Sequence, residues 1–273
     1  MKIYVTSSNQ YSFLLEPYSI LFNRYWPGQS VEVLGFDESL VPPLPENFKF
    51  ISLGNQNSGS WSDMLIPFFN SIDDKYFTLL LDDVVLMEYV DLEKIEFLEN
   101  EFKSGQVQKA YLTCSQNGPG FKRNFDSFVY KDSVLDTNFL YPEEWPPNDP
   151  AGLKFEKKRT PRILEISQTA DYRTTLHPAI WEKNYFLSFL KPGMSPWDFE
   201  LANMPQSKKD GARIISIDQP NDLFESCNVF QSGGGKRFVI PYENNVLTYG
   251  ARGPVRKKDV DFILSYVDKH WRD

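Results

Sequence analysis

The chain has 273 residues, of which 41% are hydrophobic and 15% aromatic, enough for one large α/β domain or two small ones with ample core. Its net charge of −8 lacks the basic excess of a nucleic-acid binder, so no duplex partner is expected. Two cysteines, Cys114 and Cys227, argue against a disulfide framework, and two histidines, His177 and His270, exclude a multi-histidine metal site within one chain.

Lys2 to Thr6 goes straight into a strand pattern without the apolar stretch of a signal peptide. No later apolar run is long enough to span a bilayer, so the expectation is a cytoplasmic protein with no transmembrane segment. Thr6, Ser7, Ser8 and Asn9 form a polar turn, and Ser12 is placed to cap a helix running to about Trp26. Val31 to Phe36 and Phe48 to Leu53 read as strands, separated by a proline-rich loop. Ser60 and Asp63 have capping-box spacing at the start of the next helix.

The run Tyr76 to Leu81 is wholly apolar or aromatic apart from Thr78 and ends in Asp82-Asp83. That pattern predicts a strand buried on both faces, as in a parallel sheet. Asp91 to Lys103 is an amphipathic helix stopped by Gly105, and Val107 to Cys114 another strand. Strand and helix alternate through about the first 115 residues, which predicts stacked βαβ units: an α/β fold, mostly parallel, with helices on both faces.

Residues 115–158 are rich in Asn, Pro and Gly, with a short strand at Ser127 to Lys131. Arg162 to Ser167 and Tyr172 to Leu176 read as strands, Pro178 to Leu190 as a helix, and Ser195-Pro196-Trp197-Asp198 as a helix start. Ala212 to Asp218, Asn228 to Gln231, Arg237 to Pro241 and Val246 to Tyr249 read as strands, and Lys257 to His270 as a closing helix. No repeat or linker interrupts the chain, so residues 1–273 are expected to form a single domain.

Ligands of open α/β sheets bind outside the carboxyl ends of the strands. Asp82-Asp83 stands at such an end, where two acids can hold a hard divalent cation, or simply close a loop onto a helix cap. Asp73-Asp74 precedes the same strand and reads as a solvated turn. Asp198 and Glu200 can serve as a general base, but Ser195-x-x-Asp198 also has capping-box form. Asp63 likewise reads as a ribose ligand or a cap. Gly233-Gly234-Gly235-Lys236-Arg237 can form an anion nest or a surface loop, and lacks P-loop spacing.

The order of these pieces resembles a GT-A-type, Rossmann-like glycosyltransferase. A first strand ends in small polar residues, Asp63 opens a helix, a strand ends in Leu81-Asp82-Asp83, and an acid-bearing helix start follows about a hundred residues on. The stretches His177 to Trp181 and Lys191 to Glu200 are similar to segments of viral and bacterial sugar transferases. The resemblance implies a nucleoside diphosphate sugar donor and a glycan or other hydroxyl acceptor. It also implies a Mn²⁺ or Mg²⁺ held by Asp83, with Asp82 beside it on ribose or donor sugar. Thr6, Ser7 and Asp63 would surround base and ribose. Read from position alone, the Thr6 to Asn9 turn, Ser8 included, can hydrogen-bond a nucleobase, and His177, after a strand and before a helix, can face the cleft. Asp198 would be the base of an inverting transfer, with Glu200 the alternate. About residues 1–115 would form the donor half and about 116–273 the acceptor half. Adjacent aspartates replace the family's usual Asp-x-Asp. The rival readings are a sugar-1-phosphate nucleotidyltransferase, which usually carries a Gly- and Arg-rich loop where this chain has Thr6 to Gln10, and a non-catalytic glycan-binding protein.

Overall fold

The computed structural model describes residues 1–54, 61–86, 90, 92–112, 129–131, 162–218, 226–228, 230–233, 236–239, 242–243, 246–247, 259, 261–263, 265 and 266. The first half contains β1 (Lys2–Thr6), α1 (Leu15–Tyr25), β2 (Val31–Gly35), β3 (Phe48–Ser52), α2 (Trp61–Ser71), β4 (Tyr76–Leu81), β5 (Val84–Leu86), α3 (Leu92–Lys103) and β6 (Lys109–Tyr111). Then come β7 (Val129–Lys131), β8 (Arg162–Glu165), β9 (Ala179–Glu182), α4 (Lys183–Phe189), α5 (Pro196–Ala202), α6 (Met204–Ser207) and β10 (Ile214–Asp218). Short strands follow: β11 (Ser226–Asn228), β12 (Phe230–Gly233), β13 (Lys236–Val239), β14 (Tyr242–Glu243) and β15 (Val246–Leu247).

Nine strands make one sheet in the order β3-β2-β1-β4-β9-β6-β10-β8-β7. β1 to β4 are mutually parallel, and β9 and β8 alone run against the other seven. This is the mostly parallel α/β sheet that the alternation of strands and helices predicts. Alternate side chains of each strand feed opposite faces. Ile3, Val5, Val31, Val33 and Leu80 pack with α1 and α3 in one core. Tyr4, Leu34, Phe77 and Leu79 pack with α2, α4 and α5 in the other. The sheet therefore carries helices on both faces.

Several elements differ from the sequence-based expectation. Ser12 does not cap α1: it opens a 3₁₀ turn, and its hydroxyl donates to the Asn9 carbonyl at 3.0 Å. The expected helix at Pro178 to Leu190 is split into β9 and α4. Ala179, Ile180 and Trp181 are fully buried between β4 and β6, where a strand satisfies both neighbours' backbone groups. Tyr172 to Leu176 is not a strand but a turn. Tyr172 sits at φ +57°, a left-handed conformation incompatible with strand pairing. Of the closing helix, residues 259, 261–263, 265 and 266 are helical, and Asp259 is buried against Arg24 and the Tyr25 hydroxyl of α1. Asp74 of the expected solvated turn pairs with Lys2 at 3.5 Å. Gly234 and Gly235 of the glycine run, Tyr249 at the end of the last expected strand, His270, Ser60 and Cys114 lie outside the described residues.

The turn before β9 is fixed by an unusual buried cation. Arg173 is fully buried and donates to the carbonyls of Ile166, Ser167, Ser207 and Ala212 at 2.7–3.0 Å, with Asp210 at 3.5 Å. Truncating it strands several buried acceptors at once. Arg173→Met is expected to lower unfolding stability by about 3–5 kcal/mol, measured by urea denaturation. A loss below about 1 kcal/mol would mean the turn holds without it.

Candidate active site

β1 and β4 pair in parallel with Thr6 opposite Leu81, so the turns that follow both strands emerge side by side. The Asp82 amide donates to the Thr6 carbonyl at 3.3 Å, and the Ser7 amide to Leu34 of β2 at 2.9 Å. Register alone thus brings Thr6, Ser7 and Ser8 against Asp82 and Asp83 at the carboxyl end of the sheet.

The opposite wall comes from α5 and the turns before it. Pro192-Gly193 makes a sharp turn with Gly193 at φ +84°, a backbone that glycine adopts without strain. This turn is stitched to the start of α2. The Asp63 carboxylate accepts from the Gly193 amide at 3.0 Å, the Ser62 hydroxyl from the Met194 amide at 2.8 Å, and the Met194 carbonyl from the Ser62 amide at 3.1 Å. Phe199 is buried edge-on against Trp61 of α2 and Trp181 of β9, with centroids 5.7 and 6.0 Å apart, which holds α5 against α2 and the sheet.

Between the two walls lies a cleft of about 570 Å³. Thr6, Ser7, Ser8, Asp82, Asp83, His177, Asp198 and Glu200 all line it. Asp63 is the exception among the expected site residues: it braces the Gly193 turn and does not line the cleft. Sequence reasoning missed Gln10, Tyr11, Phe36, Trp61 and Trp197, which also line it. The one available signal was Trp197, a large aromatic adjacent to Asp198 at a helix start; the structure leaves it 57% exposed beside the acids, as at a binding surface.

Asp82 is short of partners. It is 6% exposed, and its Oδ2 has no hydrogen-bond partner among the described residues. The hydroxyls of Ser8 and Tyr18 are likewise buried and unpartnered among those residues. Burial and then the charge of Asp83 push the Asp82 carboxyl well above its usual range, against the Ser7 hydroxyl and nearby backbone amides, which lower it. Burial lifts Asp83 to about 6, opposed by a backbone hydrogen bond and reinforced by the charge of Glu200. The burial of Tyr18, and then the charges of Asp82 and Asp83, raise its phenol well above the ordinary value. Among the described residues no group of three or more His, Cys, Asp or Glu side chains meets to form a complete metal shell.

The two acids on α5 are held differently. Asp198 closes the capping box: its amide donates to the Ser195 hydroxyl at 3.1 Å, and its Oδ2 accepts from the Ser195 amide at 2.9 Å and hydroxyl at 2.6 Å. Those Ser195 donors hold the exposed Asp198 carboxyl below its usual value. Glu200 is half-buried, and its Oε1 accepts from the Thr175 hydroxyl at 2.7 Å and the Leu176 amide at 2.5 Å.

No family model matches the chain, and no curated protein matches it. Solved structures similar to it include the bifunctional IspDF of Campylobacter jejuni, at 11% identity and a TM-score of 0.39 over 80% of this chain and 49% of that one. Another is CMP:2-keto-3-deoxy-manno-octonic acid synthetase complexed with CTP, at 12%, 0.40, 79% and 88%. A third is the galactosyltransferase LgtC in complex with donor and acceptor sugar analogs, at 14%, 0.30, 46% and 52%. The chain spans about half the length of IspDF and of LgtC. The chemistry of the site is carried by this chain's own topology and cleft.

Proposed function

We propose that the cleft binds a nucleoside diphosphate sugar together with a divalent cation and transfers the sugar to an acceptor hydroxyl. The observation that carries this reading is the placement of Asp82 and Asp83. A buried carboxylate with an unpartnered oxygen, Asp82, and the half-buried Asp83 that repels it stand at the mouth of a central strand and face a further acid across the cleft. Keeping both carboxylates ionised at neutral pH calls for a cation beside them.

Mn²⁺ and Mg²⁺ fit this donor set, because hard cations of the Mg²⁺ kind commonly take one or two carboxylates and complete their shell with substrate phosphates and water. Asp83 and Asp82 would hold the ion, which supplies stabilisation of the charge that develops on the departing diphosphate. Thr6, Ser7 and Ser8 would hydrogen-bond the nucleoside from the end of β1, with Tyr11 and Phe36 offering ring faces beside them. His177 would contact the diphosphate or sugar. A carboxylate of α5 would take the proton from the acceptor hydroxyl as its oxygen attacks the anomeric carbon and the bond to the diphosphate breaks. A single displacement of this kind inverts the anomeric centre. Trp197 would offer the acceptor an apolar face.

Thermal shift tests the reading directly. UDP or GDP with Mn²⁺ is expected to raise the melting temperature by about 5 °C or more near saturation, and by much less when Mn²⁺ is omitted. Stabilisation by free oligosaccharide alone would favour a glycan-binding protein. Stabilisation by a nucleoside triphosphate in preference to the diphosphate would favour a nucleotidyltransferase.

A further inference from the structure

Lys109 lies in the middle of the sheet on β6 and is fully buried, yet it faces no carboxylate within ion-pair distance among the described residues. Its Nζ donates instead to the carbonyls of Thr175 at 2.6 Å and Arg173 at 3.1 Å, and lies 4.1 Å from the ring centroids of both Tyr111 and Trp181. The Tyr111 hydroxyl donates to the carbonyls of Tyr172 at 2.9 Å and Arg173 at 3.1 Å. Tyr172, between these anchors, keeps its left-handed backbone. Such a conformation persists in a non-glycine residue when the surroundings over-determine it, and it concentrates at functional sites.

The braced turn delivers three hydrogen bonds to a single residue of the cleft. The Thr174 hydroxyl donates to the Glu200 carbonyl at 3.2 Å, while the Thr175 hydroxyl and the Leu176 amide both donate to Glu200 Oε1. One carboxylate oxygen is thereby saturated from the protein side, and neither bond engages Oε2. We infer that Thr175, held in place by Lys109, is a positioning residue that orients the Glu200 carboxylate so that Oε2 meets the acceptor hydroxyl. The inference rests on the transferase reading above. It adds that Glu200, rather than Asp198, is the acid the fold prepares for proton transfer, and that the preparation comes from β6 through the 172–176 turn. Proton transfer tolerates little misplacement, and a shift of about 1 Å costs about 100-fold in rate.

Thr175 uses different atoms for its contacts, and its hydroxyl also accepts from the His177 amide at 3.4 Å. Lys109 bonds its carbonyl, whereas Glu200 bonds its hydroxyl. Thr175→Val therefore cuts the contact to Glu200, together with the longer one from the His177 amide, and leaves the Lys109 brace in place, while Thr175→Ser keeps all three. Nucleotide release is measured from a panel of UDP-, GDP- and TDP-sugars with Mn²⁺, alongside melting temperatures. Thr175→Val is expected to lower kcat by about 10- to 100-fold with the donor KM changed less than about twofold, and Thr175→Ser to recover to within about threefold of wild type. In a Glu200→Gln background, Thr175→Val is expected to add less than about a further twofold, because the oriented group is already gone. If Thr175→Val does not fold, Thr175→Ala is read in the same way. Equal loss in the Val and Ser variants, or an undiminished loss in the Glu200→Gln background, overturns the inference while leaving the transferase reading intact. Wild-type protein that releases nucleotide from none of these donors overturns that reading, and with it any catalytic sense of the Thr175 contact.

Discussion

Asp83→Asn is expected to abolish sugar transfer and at the same time to raise the melting temperature of the metal-free protein at neutral pH. The two effects have one cause. A carboxyl whose folded pKa lies near 6, against 3.8 ordinarily, binds more protons in the folded than in the unfolded chain. Stability from such a group is present at low pH and is lost as pH rises through about 6. At pH 7.5 the metal-free protein therefore carries an ionised, disfavoured carboxylate beside Asp82, which burial and Asp83 itself shift in the same direction. Asparagine is its neutral analogue. Because Asp83 is only half-buried, solvent screening trims the gain to about 1–2 kcal/mol, or roughly 3–6 °C. Loss of the metal-held diphosphate would cost turnover about 100- to 1,000-fold or more. Melting curves at pH 5 and 7.5, with and without Mn²⁺, together with donor turnover, check both halves. A destabilised Asp83→Asn protein at pH 7.5 would show that the pair is held by contacts rather than awaiting a cation.

How much of this was legible in the sequence depended on how local the determining contacts are. The central strand was plain: Phe77, Thr78, Leu79 and Leu80 are all buried, as an uninterrupted apolar run requires. Its position then fixed the place of Asp82 and Asp83, because in parallel register the ends of β1 and β4 coincide. Short apolar runs were harder. Ala179 to Phe189 satisfies helical spacing throughout, and only the slot between β4 and β6 makes its first part a strand. Tyr172 to Leu176 is composed of good strand formers, yet the burial of Arg173 and the bonds from Tyr111 and Lys109 override that preference. Those partners lie more than 60 residues away in the chain, so no local pattern announces them. Asp63 carried a correct signal for a helix start, but the group it holds in place is the Gly193 turn. Lys109 was visible only as a cation set within the apolar strand it interrupts.

The comparison of Glu200→Gln with Asp198→Asn is expected to separate a catalytic carboxylate from a structural one. Sequence resemblance ranks Asp198 first, but its Oδ2 takes both Ser195 donors, and the same donors that keep it ionised make it a weaker base. A base earns rate in proportion to its proton affinity, so a carboxylate held below its usual pKa is poorly matched to a hydroxyl. Its sign in stability is the reverse of that of Asp83. A lowered folded pKa contributes stability above the unfolded value that is lost as pH falls through the folded one. Asp198→Asn should therefore weaken the start of α5 and lower the melting temperature at neutral pH, with kcat reduced by less than about tenfold, short of the usual span for loss of a general base. Glu200 has no capping duty, and its charge reaches Asp83 across the cleft. Glu200→Gln keeps an oxygen for Thr175 and Leu176 while removing the proton acceptor. It should cost about 100- to 10,000-fold in kcat with Mn²⁺ and nucleotide affinity preserved. If Asp198→Asn proves the more damaging to kcat at equal nucleotide affinity, the roles of the two acids are exchanged, and the capping box would be the device that aims Asp198.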